Sequence, residues 1–204
     1  MLHSTVMRAL YLMLAVGLFF VERPAFAAAN CTLDFPDRDV KRLVKESTTY
    51  RVRELIPFRH GKKDLRATLS RELGEELDAE YETSDTPYTF YAVYEKIEQV
   101  ALILGLNARA SDGPMQIFVV YDRKGKIRDV YVQKISSKDA THFRSKYYRE
   151  QYTRYTINNI PGEADIKLPL RSPTTDTIRD HHVFLRSVRL NMLVVKYLYN
   201  QFKE

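Results

Sequence analysis

The sequence predicts an α+β fold, in which an antiparallel sheet is flanked by helices and followed by a long C-terminal helix. Residues 88–95 and 99–110 are rich in aromatic and aliphatic side chains, which is typical of strands. Two apolar arms flank "DRKGK" within residues 115–135, which indicates a β-hairpin with Gly125 at positive φ. Apolar residues recur at helical spacing over residues 177–202, which predicts the last helix.

The first 27 residues are predicted to be a secretory signal peptide. Arg8 supplies the positive start, residues 9–21 are apolar, and "AFA" at residues 25–27 places small residues before a cut. A membrane anchor is an alternative, but a 13-residue apolar helix covers only about 20 Å of a roughly 30 Å hydrocarbon core. Lipid attachment to Cys31 is a further alternative, which Asn30 disfavours because a small residue is expected there. We therefore expect an exported, periplasmic protein.

Removal of 27 from 204 residues leaves a chain of 177, which suits one domain. We expect residues 28–98 to be a helical extension that packs on an α+β domain at residues 99–204. Lysine and arginine are mixed with acidic residues, and the formal net charge is +6. No nucleic-acid motif is present, so a nucleic-acid partner is not expected.

Helices are also predicted over residues 36–47, 63–77 and 137–155, from the spacing of their apolar residues. The last of these carries several tyrosines, which either stack on a planar ligand or form a mixed core-and-surface stripe. They are Tyr147, Tyr148, Tyr152 and Tyr155.

The residue pattern does not favour a hydrolase or a metal site. No G-x-S-x-G nucleophile motif is present. His181 and His182 are adjacent, so on a helix their side chains point about 100° apart and do not share a metal. These residues therefore do not favour a stand-alone hydrolase or metalloenzyme.

The stretch "GPMQIFVVYDRKGKIRDVYVQK" at residues 113–134 resembles the entry hairpin of the FMN-binding domain family. In that family a turn of the form D-x-x-G-K-I joins two strands, and a helix and a loop follow. The loop leads into an S-G-A-T-x-[ST] motif at the start of the last helix. Members include the flavin-carrying subunits of the sodium-pumping quinone reductase and of the Rnf complex. Their FMN is often attached through its phosphate to the threonine of S-G-A-T.

"SPTTDT" at residues 172–177 resembles this second motif. Ser172 matches its serine, Thr175 falls on the acceptor threonine, and Thr177 matches the closing [ST], while Pro173 and Thr174 replace Gly and Ala. The resemblance implies that FMN is bound by Ser172, Thr174, Thr175 and Thr177, through Thr175 if the attachment is covalent.

The same stretch also has a purely local interpretation. "TIRD" at residues 177–180 follows the capping-box pattern, with Asp180 in place of Glu. It predicts that Thr177 caps the last helix, which leaves Thr175 to present its hydroxyl.

Two functions follow, and both remain open. The resemblance implies a periplasmic electron-transfer flavoprotein that receives FMN from a flavin transferase and exchanges electrons with a membrane or periplasmic redox protein. The alternative is a flavin-free accessory module of the same fold that binds a protein or an envelope partner. The replacements at Pro173 and Thr174 favour the alternative, as does a segment 136–143 without the family's Pro and Gly.

Overall fold

The computed structural model describes residues 31–56, 65–77, 87–168 and 170–202, so the predicted signal peptide at residues 1–27 lies outside the described residues. The described helices are α1 (Pro36–Leu43), α2 (Leu65–Leu73), α3 (Ala140–Arg144), α4 (Lys146–Glu150) and α5 (Thr175–Leu198). The described strands are β1 (Thr49–Leu55), β2 (Tyr88–Glu95), β3 (Glu98–Ala110), β4 (Gly113–Asp122) and β5 (Ile127–Ile135). None of the helices in these ranges is both long enough and apolar enough to cross a membrane.

The strands form one five-stranded sheet, in which each strand pairs antiparallel with the next one along the chain. The predicted α+β fold, with an antiparallel sheet, flanking helices and a long C-terminal helix, is therefore confirmed. The predicted hairpin is β4–β5. Gly125 in its turn has a φ of 76°, in the left-handed region that glycine adopts most readily.

The described parts of residues 28–98 contain strands as well as the helices of the predicted extension. Besides α1 and α2, this segment contributes β1 and β2 to the same sheet as β3. The sequence signal of β1 is weak because its residues from Thr49 to Glu54 are exposed or half-buried, and only Leu55 is buried. A strand without a buried face lacks the clear alternation of apolar and polar residues. The described part of the segment thus supplies two strands of the sheet as well as two helices.

The helix α5 packs on one face of the sheet, against β3 and β4. Phe184 and Val188 are among its buried apolar residues on this face. Asn191 lies within the same core and links helix to sheet through its amide. Tyr121 Oη donates to its Oδ1 at 2.7 Å, and its Nδ2 donates to the Leu104 carbonyl at 2.9 Å. These buried polar groups are thereby paired, as burial requires.

The opposite face of the sheet is covered by residues 31–44, which include α1. Leu33 and Val40 are buried there in a second apolar cluster. Gly105 permits a close approach of this segment, because a Cβ at that position would lie 2.8 Å from the Cys31 carbonyl oxygen. Cys31 is itself buried, and burial raises the pKa of its thiol. The side chain of Cys31 therefore packs in the core.

The predicted helix over residues 137–155 is interrupted at Ser145, which has extended backbone angles between α3 and α4. Its Oγ accepts from the N–H of Tyr148 at 3.2 Å and caps α4. Serine favours this capping role over a helix interior, since its hydroxyl can bind nearby backbone groups. A 3₁₀ turn, Gln151–Arg154, completes the segment.

Candidate functional site

The N-terminus of α5 holds the predicted cofactor residues. Thr174 is its N-cap: Thr174 Oγ1 accepts from the N–H of Thr177 at 3.1 Å, and the N–H of Thr174 donates to Thr177 Oγ1 at 3.2 Å. This reciprocal pair is a capping box, which satisfies backbone groups that the helix itself leaves open. The prediction that Thr177 caps the helix with Asp180 is wrong, since the cap lies three residues earlier in the chain.

Thr177 is buried, and its hydroxyl donates to the carboxylate of Asp139. Asp139 directly precedes α3, so the bond fastens the start of α3 to the first turn of α5. A carboxylate near a helix N-terminus interacts favourably with the partial positive charge of the helix dipole. Asp139 therefore already supplies the negative charge that this helix end favours.

Asp180 is fully buried and has a different role from the predicted one. Its Oδ1 accepts from the N–H of Ser111 at 2.6 Å, and its Oδ2 accepts from Ser111 Oγ at 2.8 Å. Ser111 lies in the turn between β3 and β4. Asp180 thus joins α5 to the β3–β4 turn through two charge-assisted hydrogen bonds.

His181 lies on the same turn of α5 and faces the aromatic side chains of the α4 region. Its Nδ1 is 2.7 Å from Tyr148 Oη, and Tyr152 Oη donates to Tyr148 Oη at 3.3 Å. The roles in the contact between Tyr148 and His181 follow the tautomer of the ring: in neutral His181 with an unprotonated Nδ1, this nitrogen accepts from the Tyr148 hydroxyl. Burial lowers the pKa of His181 and the neighbouring His182 lowers it further, while Glu163 opposes both effects.

Three of the four tyrosines in residues 147–155 are buried, and Tyr147 is exposed. Tyr148 and Tyr152 both pack against Phe184 of α5, with ring centroids 5.1 Å and 5.8 Å away. The interpretation of these residues as a mixed core-and-surface stripe is confirmed. The buried rings make protein contacts and are not presented to a planar ligand.

Three of the four predicted cofactor residues are exposed at this helix end: Ser172, Thr174 and Thr175. A phosphate on Thr175, the first helical residue, would lie near the N-terminal N–H groups of α5. The N–H of Thr177 is, however, already bound within the cap, and the carboxylates of Asp139 and Asp176 stand in the same turn region. Like charges repel, so these carboxylates disfavour a phosphate at this helix end. Thr175 itself takes no part in the cap, so a phosphodiester-linked FMN at Thr175 stays a prediction.

A cavity of about 390 Å³ lies near the other end of α5. Since α5 has 24 residues, its two ends are about 36 Å apart. We call the cavity region the hairpin end; it comprises residues 97–99, 101, 102, 121–123, 199 and 202. Its buried lining residues are Ala101, Leu102, Tyr121 and Phe202. Its exposed lining residues are Ile97, Glu98 and Arg123.

Ile97 projects from the hairpin end into solvent. Glu95 pairs with Glu98 across the β2–β3 hairpin, so Lys96 and Ile97 form a two-residue turn. Lys96 has a φ of 57°, and its N–H donates to Thr48 Oγ1 at 2.7 Å. Such turns usually contain Gly, Asn or Asp, because these residues tolerate positive φ. Here the turn instead holds a β-branched apolar side chain, Ile97, which is 93 % exposed.

Polar contacts join the three chain segments of the hairpin end. Arg123 Nη1 donates to Glu98 Oε2 at 2.8 Å, and both side chains are largely exposed. Gln99 Nε2 donates to the Phe202 carbonyl at 2.8 Å, and the Tyr199 hydroxyl donates to the Arg123 carbonyl. Sequence reasoning missed this region. The available signal was an isoleucine between two predicted strands, where turn-forming residues are expected.

Comparisons with known proteins add no family to this picture. A scan against protein-family models found no match, and a search of the curated proteins found none either. Within the described ranges, no group of three or more His, Cys, Asp and Glu side chains is arranged to hold a metal ion. The resemblance to the FMN-binding domain family therefore stays a prediction from the hairpin and the "SPTTDT" stretch.

Proposed function

We propose that this protein is an exported binding module that works without flavin and contacts a protein partner through the hairpin end. The observation that carries the proposal is Ile97, an isoleucine held 93 % exposed beside a cavity. Burial of such a side chain in a partner removes apolar surface from water, which is the main favourable contribution in most protein association. A cavity near 390 Å³ is within the range of natural binding pockets, about 300–1,000 Å³.

The strain in the turn supports the same proposal. A lysine at a φ of 57° is less stable than a glycine would be, and it persists here because Thr48 holds its N–H. Strained backbone that its surroundings hold in place is concentrated at binding and catalytic sites. The strain at Lys96 thus favours a role for the β2–β3 turn beyond joining two strands.

The flavin-carrying function predicted from the resemblance is the competing hypothesis. The exposed hydroxyl of Thr175 at the first helical position favours it. The carboxylate of Asp139, bound to Thr177 in the first turn of α5, favours the flavin-free module, since a negative charge at this helix end repels a phosphate.

One experiment separates these two hypotheses. The full chain is exported in a host that contains a flavin transferase, and the purified protein is measured by intact mass and visible absorbance. We expect an unmodified mass for the chain from Ala28 and no flavin spectrum, also after incubation with free FMN. A yellow protein with the added mass of one FMN, lost in Thr175→Ala but kept in Thr174→Ser, would overturn the flavin-free proposal.

A second experiment tests the binding function. A photo-crosslinking amino acid replaces Ile97 in the exported chain, and a matched variant carries it at Tyr147, which is also exposed. We expect irradiation in the native envelope to give a discrete adduct only from position 97. Excess wild-type protein without the crosslinking residue should suppress this adduct, whereas excess Ile97→Asp protein should not. Equal labelling from both positions, or no adduct from position 97, would remove the support for this function.

A further inference from the structure

The hairpin end carries both a projection and a depression on one surface. Ile97 is 93 % exposed, and it adjoins the cavity lined by Leu102, Tyr121 and Phe202. A contact between two identical copies about a twofold axis needs both features on the same patch, because each copy must offer what the other receives. A contact with an unrelated protein places no such demand.

The charges around the cavity are also self-complementary. Glu98 and Arg123 form an ion pair at 2.8 Å, and their side chains are 65 % and 63 % exposed. Asp122 and Lys124 add one further charge of each sign beside them. A rim of one sign would repel a second copy, whereas a mixed rim allows Glu98 of each copy to face Arg123 of the other.

We propose that the hairpin end binds a second copy of this chain, with Ile97 of each copy entering the cavity of the other about a twofold axis. This inference rests on the proposed binding function and names its partner. The rim of the cavity is polar and charged, so the association is of the weak, transient class. Glu98 and Arg123 of the two copies then form a cluster of four alternating charges.

The first test measures self-association of the mature chain from Ala28 by sedimentation velocity, from micromolar to millimolar concentration. We expect a reversible monomer–dimer equilibrium. Ile97→Asp should weaken the dimer by more than about tenfold, because a carboxylate would lose hydration in the cavity and could not replace apolar contacts with Leu102 and Phe202 in its lining. Phe35→Asp, at another exposed apolar residue, should leave the dimer unchanged. A monomer at every concentration, or a dimer that Ile97→Asp leaves intact, would overturn the proposal.

The second test uses charge reversal at the rim and does not depend on the cavity. Glu98→Arg alone and Arg123→Glu alone should each weaken self-association, because each places like charges across the twofold axis. An equimolar mixture of the two variants should restore it, because both contacts between unlike copies then join opposite charges. Failure of the mixture to associate more strongly than either variant would overturn the proposed geometry. Far-ultraviolet circular dichroism of each variant shows whether the fold is kept.

The photo-crosslinking experiment distinguishes failure of this inference from failure of the proposed function. An adduct of twice the chain mass from position 97 supports a second copy. An adduct of any other mass, together with a monomeric mature chain, overturns the second copy and leaves the binding function standing. Absence of any adduct from position 97 overturns both.

Discussion

The two ends of α5 differ in how completely other parts of the chain bind or cover the side chains there. At the N-terminal end, Thr174 and Thr177 cap each other, Asp139 binds Thr177, and Asp180 binds Ser111. At the C-terminal end, about 36 Å away, a cavity stays open and Ile97 projects beside it. The N-terminal end therefore has the features of a structural anchor, and the hairpin end has those of a contact surface.

A stretch that resembles a cofactor motif and a binding surface need not coincide in one protein. The hydroxyls of "SPTTDT" suggest chemistry because small polar residues are shared by cofactor loops and helix caps. Their partners decide between the two roles, and here the partner of Thr177 is the carboxylate of Asp139. Three sets of variants and one change of pH test this contrast between the two ends of α5.

Asp180→Ala should destabilise the anchored end most strongly. Its carboxylate accepts two hydrogen bonds from Ser111, and its loss leaves both donors without this partner. We expect a loss of about 3 kcal/mol in the free energy of unfolding, measured by urea denaturation. Asp176→Ala is the control, because the side chain of Asp176 is half-buried and its described ion pair is with Arg179, a largely exposed residue. It should change stability by less than about 0.5 kcal/mol. Equal effects would show that Asp180 is not an anchor.

Acidification should loosen the anchored end through His181. Its pKa is lowered in the folded state, chiefly by burial, so the unfolded chain binds more protons than the folded chain near pH 6. Stability is therefore complete above the unfolded pKa of about 6.5 and falls as pH drops below it. The slope cannot exceed about 1.4 kcal/mol per pH unit for one proton.

The measurement is urea denaturation between about pH 7.5 and about pH 5.5, a window in which few carboxylates titrate. His181→Asn should flatten the dependence, because its amide oxygen can accept from Tyr148 in place of Nδ1 without titrating. His182→Gln should keep most of the dependence, since His182 is exposed. A wild-type profile that rises on acidification would contradict a neutral, buried His181.

Much of the fold could be predicted from the sequence wherever a residue type or spacing is typical of a single local structure. Gly125 between alternating arms marked the β4–β5 hairpin, and the apolar spacing marked α5. The break at Ser145 and the cap at Thr174 were missed because serine and threonine suit both helix ends and helix surfaces, and only tertiary contacts choose between them. The hairpin end could not be assembled from sequence, because Ile97 and Phe202 meet only after the sheet and α5 have packed.

Replacement of the cap residue tests the two interpretations of "SPTTDT" directly. Thr174→Ala should lower the free energy of unfolding by about 1 kcal/mol, since it removes the acceptor for the N–H of Thr177. Thr175→Ala should change it by less than about 0.5 kcal/mol, because Thr175 is exposed at the first helical position. Chemical denaturation of both variants in parallel provides the comparison. A larger loss in the free energy of unfolding from Thr175→Ala than from Thr174→Ala would contradict the cap at Thr174 and make Thr175 the more important residue of this helix end.

The smallest expected effect is a gain in stability at the hairpin end. Lys96→Gly removes the strain of a side chain at a φ of 57°, although the more flexible unfolded chain offsets part of the benefit. We expect a net stabilisation of about 0.5 kcal/mol in urea denaturation, without loss of the Thr48 hydrogen bond, which uses the backbone N–H. Lys124→Gly, in the β4–β5 turn next to Gly125, is the matched control and should not stabilise the fold, because Lys124 does not have positive φ.

If Lys96→Gly both stabilises the fold and weakens self-association, the strain at Lys96 serves to hold Ile97 in its projecting position. If Lys96→Gly stabilises the fold and leaves self-association unchanged, the strain at Lys96 is not needed to position Ile97 for self-association.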